Sequence, residues 1–216
     1  MKRVLWIPLL MLLLAGCASS KITSTWKASD ASGRKYNKIL VVGLIKENDR
    51  SLREHMEDHL VGDLKELGYN AISAYSEYGP KEFDGMDEQT AIARLKSNGV
   101  DAVITIVLLD KEKERRYVPG RMMYSPYGYY YGRFWGYYGA LQRRIYEPGY
   151  YVTDTRYFWE SNLYDLGDQH LVYSVQTQSF DPSSSEALGH EYGQLIVKSM
   201  VKNGVLDKNA LPPKAF

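Results

Sequence analysis

The chain has 216 residues, 44% hydrophobic and 25% charged, with a formal net charge of +1. That length supports one well-buried core, and the near-neutral balance argues against a general nucleic-acid binder. A single cysteine, Cys17, excludes an intramolecular disulfide.

The chain opens with Lys2 and Arg3, a short apolar run at 5–14 broken by Pro8, and then small residues. This pattern predicts a secretory signal over 1–16, too short to span a bilayer well. Its ending, Leu14-Ala15-Gly16-Cys17, resembles the bacterial lipobox. The resemblance implies cleavage before Cys17, diacylglycerol on its thiol and an acyl chain such as palmitate on its new amino group. Ala18 lacks the inner-membrane retention signal that Asp supplies there in enteric lipoproteins. The resemblance therefore points to the outer membrane, with the protein facing the periplasm. Loss of Lys2 and Arg3 takes the side-chain charge from +1 to −1. Residues 17–36 are polar and weakly patterned, and read as a lipidated tether holding the domain off the bilayer.

A β-branched apolar run at 38–45 predicts a strand buried on both faces. Asp49 and Ser51 offer helix caps, and Ser51 with Glu54 fits a capping box. Leu52, Met56, Leu60, Leu64 and Leu67 then recur at helical spacing, with Gly68 where a helix stops. Residues 70–78 read as a second strand. Asp87 caps a second helix that turns Ile92 and Leu95 inward and ends at Gly99. Residues 100–109 form the strongest strand signal in the chain, with Ile104 and Ile106 on one face and Val103, Thr105 and Val107 on the other, both sets buried if helices cover both faces. After an insert at 111–149, alternating strands are predicted at 150–164 and 170–180, joined by a turn at 165–169. A last helix is capped within 183–185, carries Leu188, Tyr192, Leu195, Ile196, Ser199 and Met200 on its inner face, and ends at Gly204.

The expected fold is thus α/β: a mixed sheet of about five strands in the order β-α-β-α-β-(insert)-β-β-α, with helices packed on it. It occupies one domain, 37–206, followed by a tail at 207–216. The stretches "YNKILVVGLI", "LKSNGVDAVITIVLL" and "WESNLYDLGDQHLVYSVQTQSFDP", behind a lipobox, resemble the anticodon-binding-like fold of the TolB amino-terminal domain and of CsgG-type envelope lipoproteins. That resemblance implies envelope assembly, secretion or scaffolding rather than catalysis. CsgG makes a pore from added membrane-spanning hairpins, and this chain lacks clear long strands of that alternating kind.

Residue-level signals for chemistry are weak. His55 and His59 are four apart on one helical face, as zinc ligands would be. The metalloprotease motif places Glu directly after the first His, where this chain has Met56, and Glu57 lies about 200° round the helix. Both histidines read as boundary residues, and no metal or cofactor is expected. A nucleotide site after the first strand would want a glycine-rich turn, but the one glycine there, Gly43, lies inside the apolar run, and the loop carries Glu47 and Asp49, which repel phosphate. No Gly-x-Ser-x-Gly elbow is present.

The insert is the unusual segment. Tyr129, Tyr130, Tyr131, Phe134, Trp135 and Tyr137 interleave with glycines, and Arg133, Arg143 and Arg144 supply charge. One reading is a flexible hairpin extension. The other is a binding surface, because Tyr presents a large contact area at low entropic cost and Arg pairs with phosphate or carboxylate. Its partners would be an envelope protein, lipopolysaccharide or peptidoglycan, with no nucleic acid in that compartment. The expected function is a non-enzymatic envelope lipoprotein that binds or scaffolds. The alternatives are a CsgG-like oligomeric secretion subunit, which would be a homo-oligomer, and a cell-wall enzyme.

Overall fold

A computed structural model describes residues 19–32, 34–46, 49–79, 81, 83, 85–118 and 149–208. Cys17 and every insert residue named above, Tyr129 to Arg144, lie outside these described residues. The chain divides into two compact units, residues 1–111 with 156–216, and residues 112–155.

The architecture is mixed α/β. In chain order the elements are β1 (Ser20–Lys27), β2 (Ile39–Leu44), α1 (Arg50–Glu66), β3 (Ala71–Ser73), α2 (Ala74–Tyr78), α3 (Glu88–Ser97), β4 (Ala102–Val118), β5 (Tyr150–Asp165), β6 (His170–Phe180) and α4 (Ser185–Lys202). The strands form one six-stranded sheet ordered β1-β6-β5-β4-β2-β3. β2 is parallel to β3 and β4, while β6 is antiparallel to β1 and β5.

Three corrections to the expected order have physical causes. The stretch read as a tether contains β1, an outer strand paired with β6 from Ser20↔Ser179 to Lys27↔Tyr173. Its sequence is polar because it buries only Ser20. Two lysines and a bulge between Ile22 and Ser24 suit an outer strand, since charge and irregularity block stray pairing. The second strand is cut to three residues, because the Ser73 hydroxyl accepts the Ser76 N–H at 3.1 Å and starts α2. β4 runs to Val118, nine residues beyond the apolar run, through the charged stretch at 110–116. An exposed arm needs no apolar face, so its strand character leaves little trace in the sequence.

Helix ends follow local chemistry more closely. Asp87 accepts the Thr90 N–H at 3.0 Å, and Ser184 accepts that of Ala187 at 3.0 Å. Gly68, Gly99 and Gly204 take positive φ values where their helices stop. The capping box expected at Ser51 is absent: α1 begins at Arg50, and Asp49 makes no side-chain cap.

α1 and α4 cover one sheet face. Met56, Leu60, Leu64, Tyr192, Ile196 and Met200 meet Ile39, Val41, Ile104, Ile106, Trp159 and Tyr173 in the main core. On the expected inner face of α4, Leu195 is only half-buried, whereas Val197 is buried with Gly189 and Gly193. The opposite sheet face holds a smaller core of Leu40, Ala74, Leu95, Val100 and Leu166. Beyond it, Thr105 and Val107 are half-buried, and Leu44 and Leu109 are about half exposed. One face of the central strand is thus fully buried, and the other is covered only in part, with Val103 against the smaller core and Thr105 and Val107 half-buried beyond it.

Candidate functional site

Glu57 of α1 is a fully buried carboxylate. Its Oε1 accepts the Gly43 N–H at 2.7 Å and the Arg53 Nε–H at 2.9 Å. Its Oε2 accepts the Ser73 hydroxyl at 2.7 Å and the Tyr75 N–H at 2.8 Å. One carboxylate thus ties the ends of β2 and β3 to α1 and α2. Gly43 is required by this approach, because an added Cβ would lie 2.9 Å from Arg53 Cγ and 3.0 Å from Glu57 Oε1. Every acceptor position is used, so the cluster is built to hold structure. The sequence signal was a lone glycine inside a strand, which marks close approach of another group.

The two histidines of α1 are not brought together. His55 Nδ1 shares a hydrogen bond with Ser185 Oγ at 2.9 Å, at the start of α4. His59 meets His190 edge to face at 5.6 Å. Among the described residues, no group of three or more His, Cys, Asp or Glu could hold a metal ion. The helices approach closely here because Gly189 and Gly193 face α1; a Cβ on Gly189 would sit 2.8 Å from the His55 carbonyl. Asp63 lies in the same seam. Burial raises its carboxyl above the usual range, helped by Glu66 and opposed by His190 and His59.

A cleft of about 290 Å³ opens where α1 and α4 begin, lined in part by Asp49, Ser51, Lys111, Tyr157, Ser184 and Ser185. Lys111 Nζ lies 3.8 Å from Asp49 Oδ1 and 5.0 Å over the Tyr157 ring. The Ser185–His55 pair reaches this cleft. A hydrolytic site would add a carboxylate on the other imidazole nitrogen. Among the described residues, none bonds His55 there.

The second unit contains the arms that lead into the insert, Glu112–Val118 of β4 and Tyr150–Thr155 of β5. Tyr117, Tyr150 and Tyr151 are each more than half exposed. The Arg115 guanidinium stacks 4.2 Å over Tyr151, and Tyr117 meets Tyr151 at 5.1 Å. Arg116 Nε reaches the buried Asp154 at 3.4 Å. Gly149 makes room for the Tyr117 hydroxyl, which fills the place of its missing Cβ. Exposed aromatic and basic side chains thus stand on these two arms, while the insert residues singled out from the sequence, Tyr129 to Arg144, lie outside the described residues.

No protein-family model matches the sequence, and no curated protein does. Among solved structures, the chain is similar to the PelC dodecamer from Paraburkholderia phytofirmans, at 13% identity over 88% of this chain and 97% of that one, with a TM-score of 0.42. It is also similar to lipoprotein GNA1162 from Neisseria meningitidis, at 15% identity over 77% of this chain and 99% of that one, with a TM-score of 0.42.

Proposed function

We propose that the protein is a non-enzymatic lipoprotein, anchored in the outer membrane through acylated Cys17 and facing the periplasm, that binds an envelope partner through the arms and tip of its insert. The observation that carries this reading is the exposed stack of Arg115, Tyr117 and Tyr151 on both arms. Its rings offer apolar area with few rotatable bonds, and a guanidinium pairs readily with carboxylate or phosphate. The lipobox supplies the compartment, and the partner is an envelope protein, lipopolysaccharide or peptidoglycan.

Two measurements test the reading. Metabolic palmitate labelling is expected on the parent protein and lost in Cys17→Ser, because serine lacks the thiol that accepts diacylglycerol. Crosslinking in intact cells is expected to capture a partner that Arg115→Ala with Tyr151→Ala releases. Equal labelling of both proteins defeats the anchor, and unchanged capture defeats the binding surface.

A further inference from the structure

The correction at β1 changes how the domain meets the bilayer. The chain between Cys17 and the folded domain is not a tether of twenty residues. Ser19 already belongs to the fold: its carbonyl accepts the Phe180 N–H at 2.8 Å, and its hydroxyl donates to Glu191. Two residues span at most about 7 Å, so Ser19 stays that close to an acylated Cys17. Phe180 stands one strand spacing further, about 4.8 Å. The headgroup layer is itself about 5–8 Å thick on each side of the hydrocarbon core. A domain joined this closely cannot float clear of the headgroups.

The side chains at this end suit that position. Phe180 is 44% exposed at the tip of β6, and the Arg156 guanidinium lies 5.5 Å over its ring. Arg156 and Phe180 are register partners, and Lys21, Gln178 and Phe158 form the next row on the same sheet face. Lys21 is exposed. An aromatic ring flanked by an arginine and a lysine matches the boundary between acyl chains and phosphates, where amphipathic side chains place an apolar body inward and a charged head at the phosphate level. α1 and α4 also begin at this end, pointing the positive ends of their dipoles the same way. Asp181 and Glu186 are the exposed acidic groups nearest in sequence to Phe180. Asp181 follows it on the connection into α4, and Glu186 lies in the first turn of α4.

We infer that this end of the first unit, Lys21 with Arg156 and Phe180, docks on the phospholipid surface and fixes the orientation of the domain on the membrane. The inference rests on the acylation of Cys17 proposed above.

The test uses the full acylated protein in vesicles of phosphatidylethanolamine and phosphatidylglycerol. One spin label is placed through Ser183→Cys beside this end, and another through Lys202→Cys. Lys202 lies 17 residues along α4 from Ser185, about 25 Å away. The label at 183 is expected to be shielded from an aqueous nickel relaxant and the label at 202 to be fully accessible. Arg156→Glu with Phe180→Ser is expected to abolish the shielding at 183 while circular dichroism stays unchanged. Equal access at the two positions in palmitate-labelled protein overturns the docking inference and leaves the anchor standing. Shielding that survives the double variant also overturns it. Protein that takes up no palmitate overturns the anchor, and the docking inference with it.

Discussion

The two faces of the central sheet solve different problems with the same strands. On the covered face, Ile104, Ile106, Trp159 and Tyr173 are fully buried under α1 and α4. On the other face, past the small core at Leu40 and Leu95, the strands carry a polar ladder. There Glu160 accepts from Asn162 and Gln176, both at 2.9 Å, and these bonds hold its carboxyl below the usual range, Gln176 first. Exposed Leu109 and Phe180 sit on that same face. The contrast separates the two sides: the covered face and its Glu57 cluster hold the fold, and the open face and the arms leave apolar and charged side chains exposed.

Glu57→Ala should break the covered side hardest. It removes the acceptor that the Gly43 and Tyr75 N–H groups, the Ser73 hydroxyl and the Arg53 Nε–H share, and is expected to cost about 3–5 kcal/mol. Denaturant unfolding measures it. Ile104→Ala on the covered face is expected to cost about 2–5 kcal/mol. Its counterpart on the open face, Leu109→Ala, should stay within about 0.5 kcal/mol, the usual range for surface substitutions. Equal losses at 104 and 109 would erase the distinction between the faces. Between these extremes, Gly189→Ala pushes a methyl group against the His55 carbonyl and is expected to cost about 1–3 kcal/mol, as overpacking does.

The smallest effect concerns acid. Hydrogen bonds from Arg34 hold the carboxyls of Asp30 and Asp168 below their ordinary range, and Arg34 also bonds Asp165 across the β5–β6 turn. Lowered folded values mean stability that is present above the ordinary carboxylate pKa and lost as pH falls through the lowered values. The gap in stability between the parent and Arg34→Gln should therefore be widest near neutrality and close below about pH 4. Acid titrations of unfolding check this; a gap that widens as pH falls would contradict the assignment.

Much of this frame was legible from periodicity. α1, α3, α4, β2, β6 and the apolar half of β4 are segments that bury apolar side chains, and burial is what a hydrophobic pattern records. β1 and the arm of β4 were obscured because their residues face water, so pairing rather than burial makes them strands, whereas the arm of β5 was legible in the alternation that begins at Tyr150. The Glu57 cluster was obscured for another reason. "HMEDH" drew attention to two histidines that share no site, whereas the informative pair was Gly43 with Glu57, fourteen residues apart and joined only by the fold. Gly189 and Gly193, four apart on α4, were an unread sign of close helix contact. Cys17 and the insert tip rest on sequence alone.

The separation between a self-sufficient fold and an added binding surface is tested most directly by replacing residues 122–142 with a short Gly/Ser linker. Loop length alone changes stability little, about 0.6 kcal/mol per doubling. Thermal unfolding of the purified protein should match the parent, while the partner captured by crosslinking in cells is lost. A replacement that unfolds the protein would make the insert part of the core. One that keeps both the unfolding temperature and every captured partner would leave the insert without the binding role assigned to it.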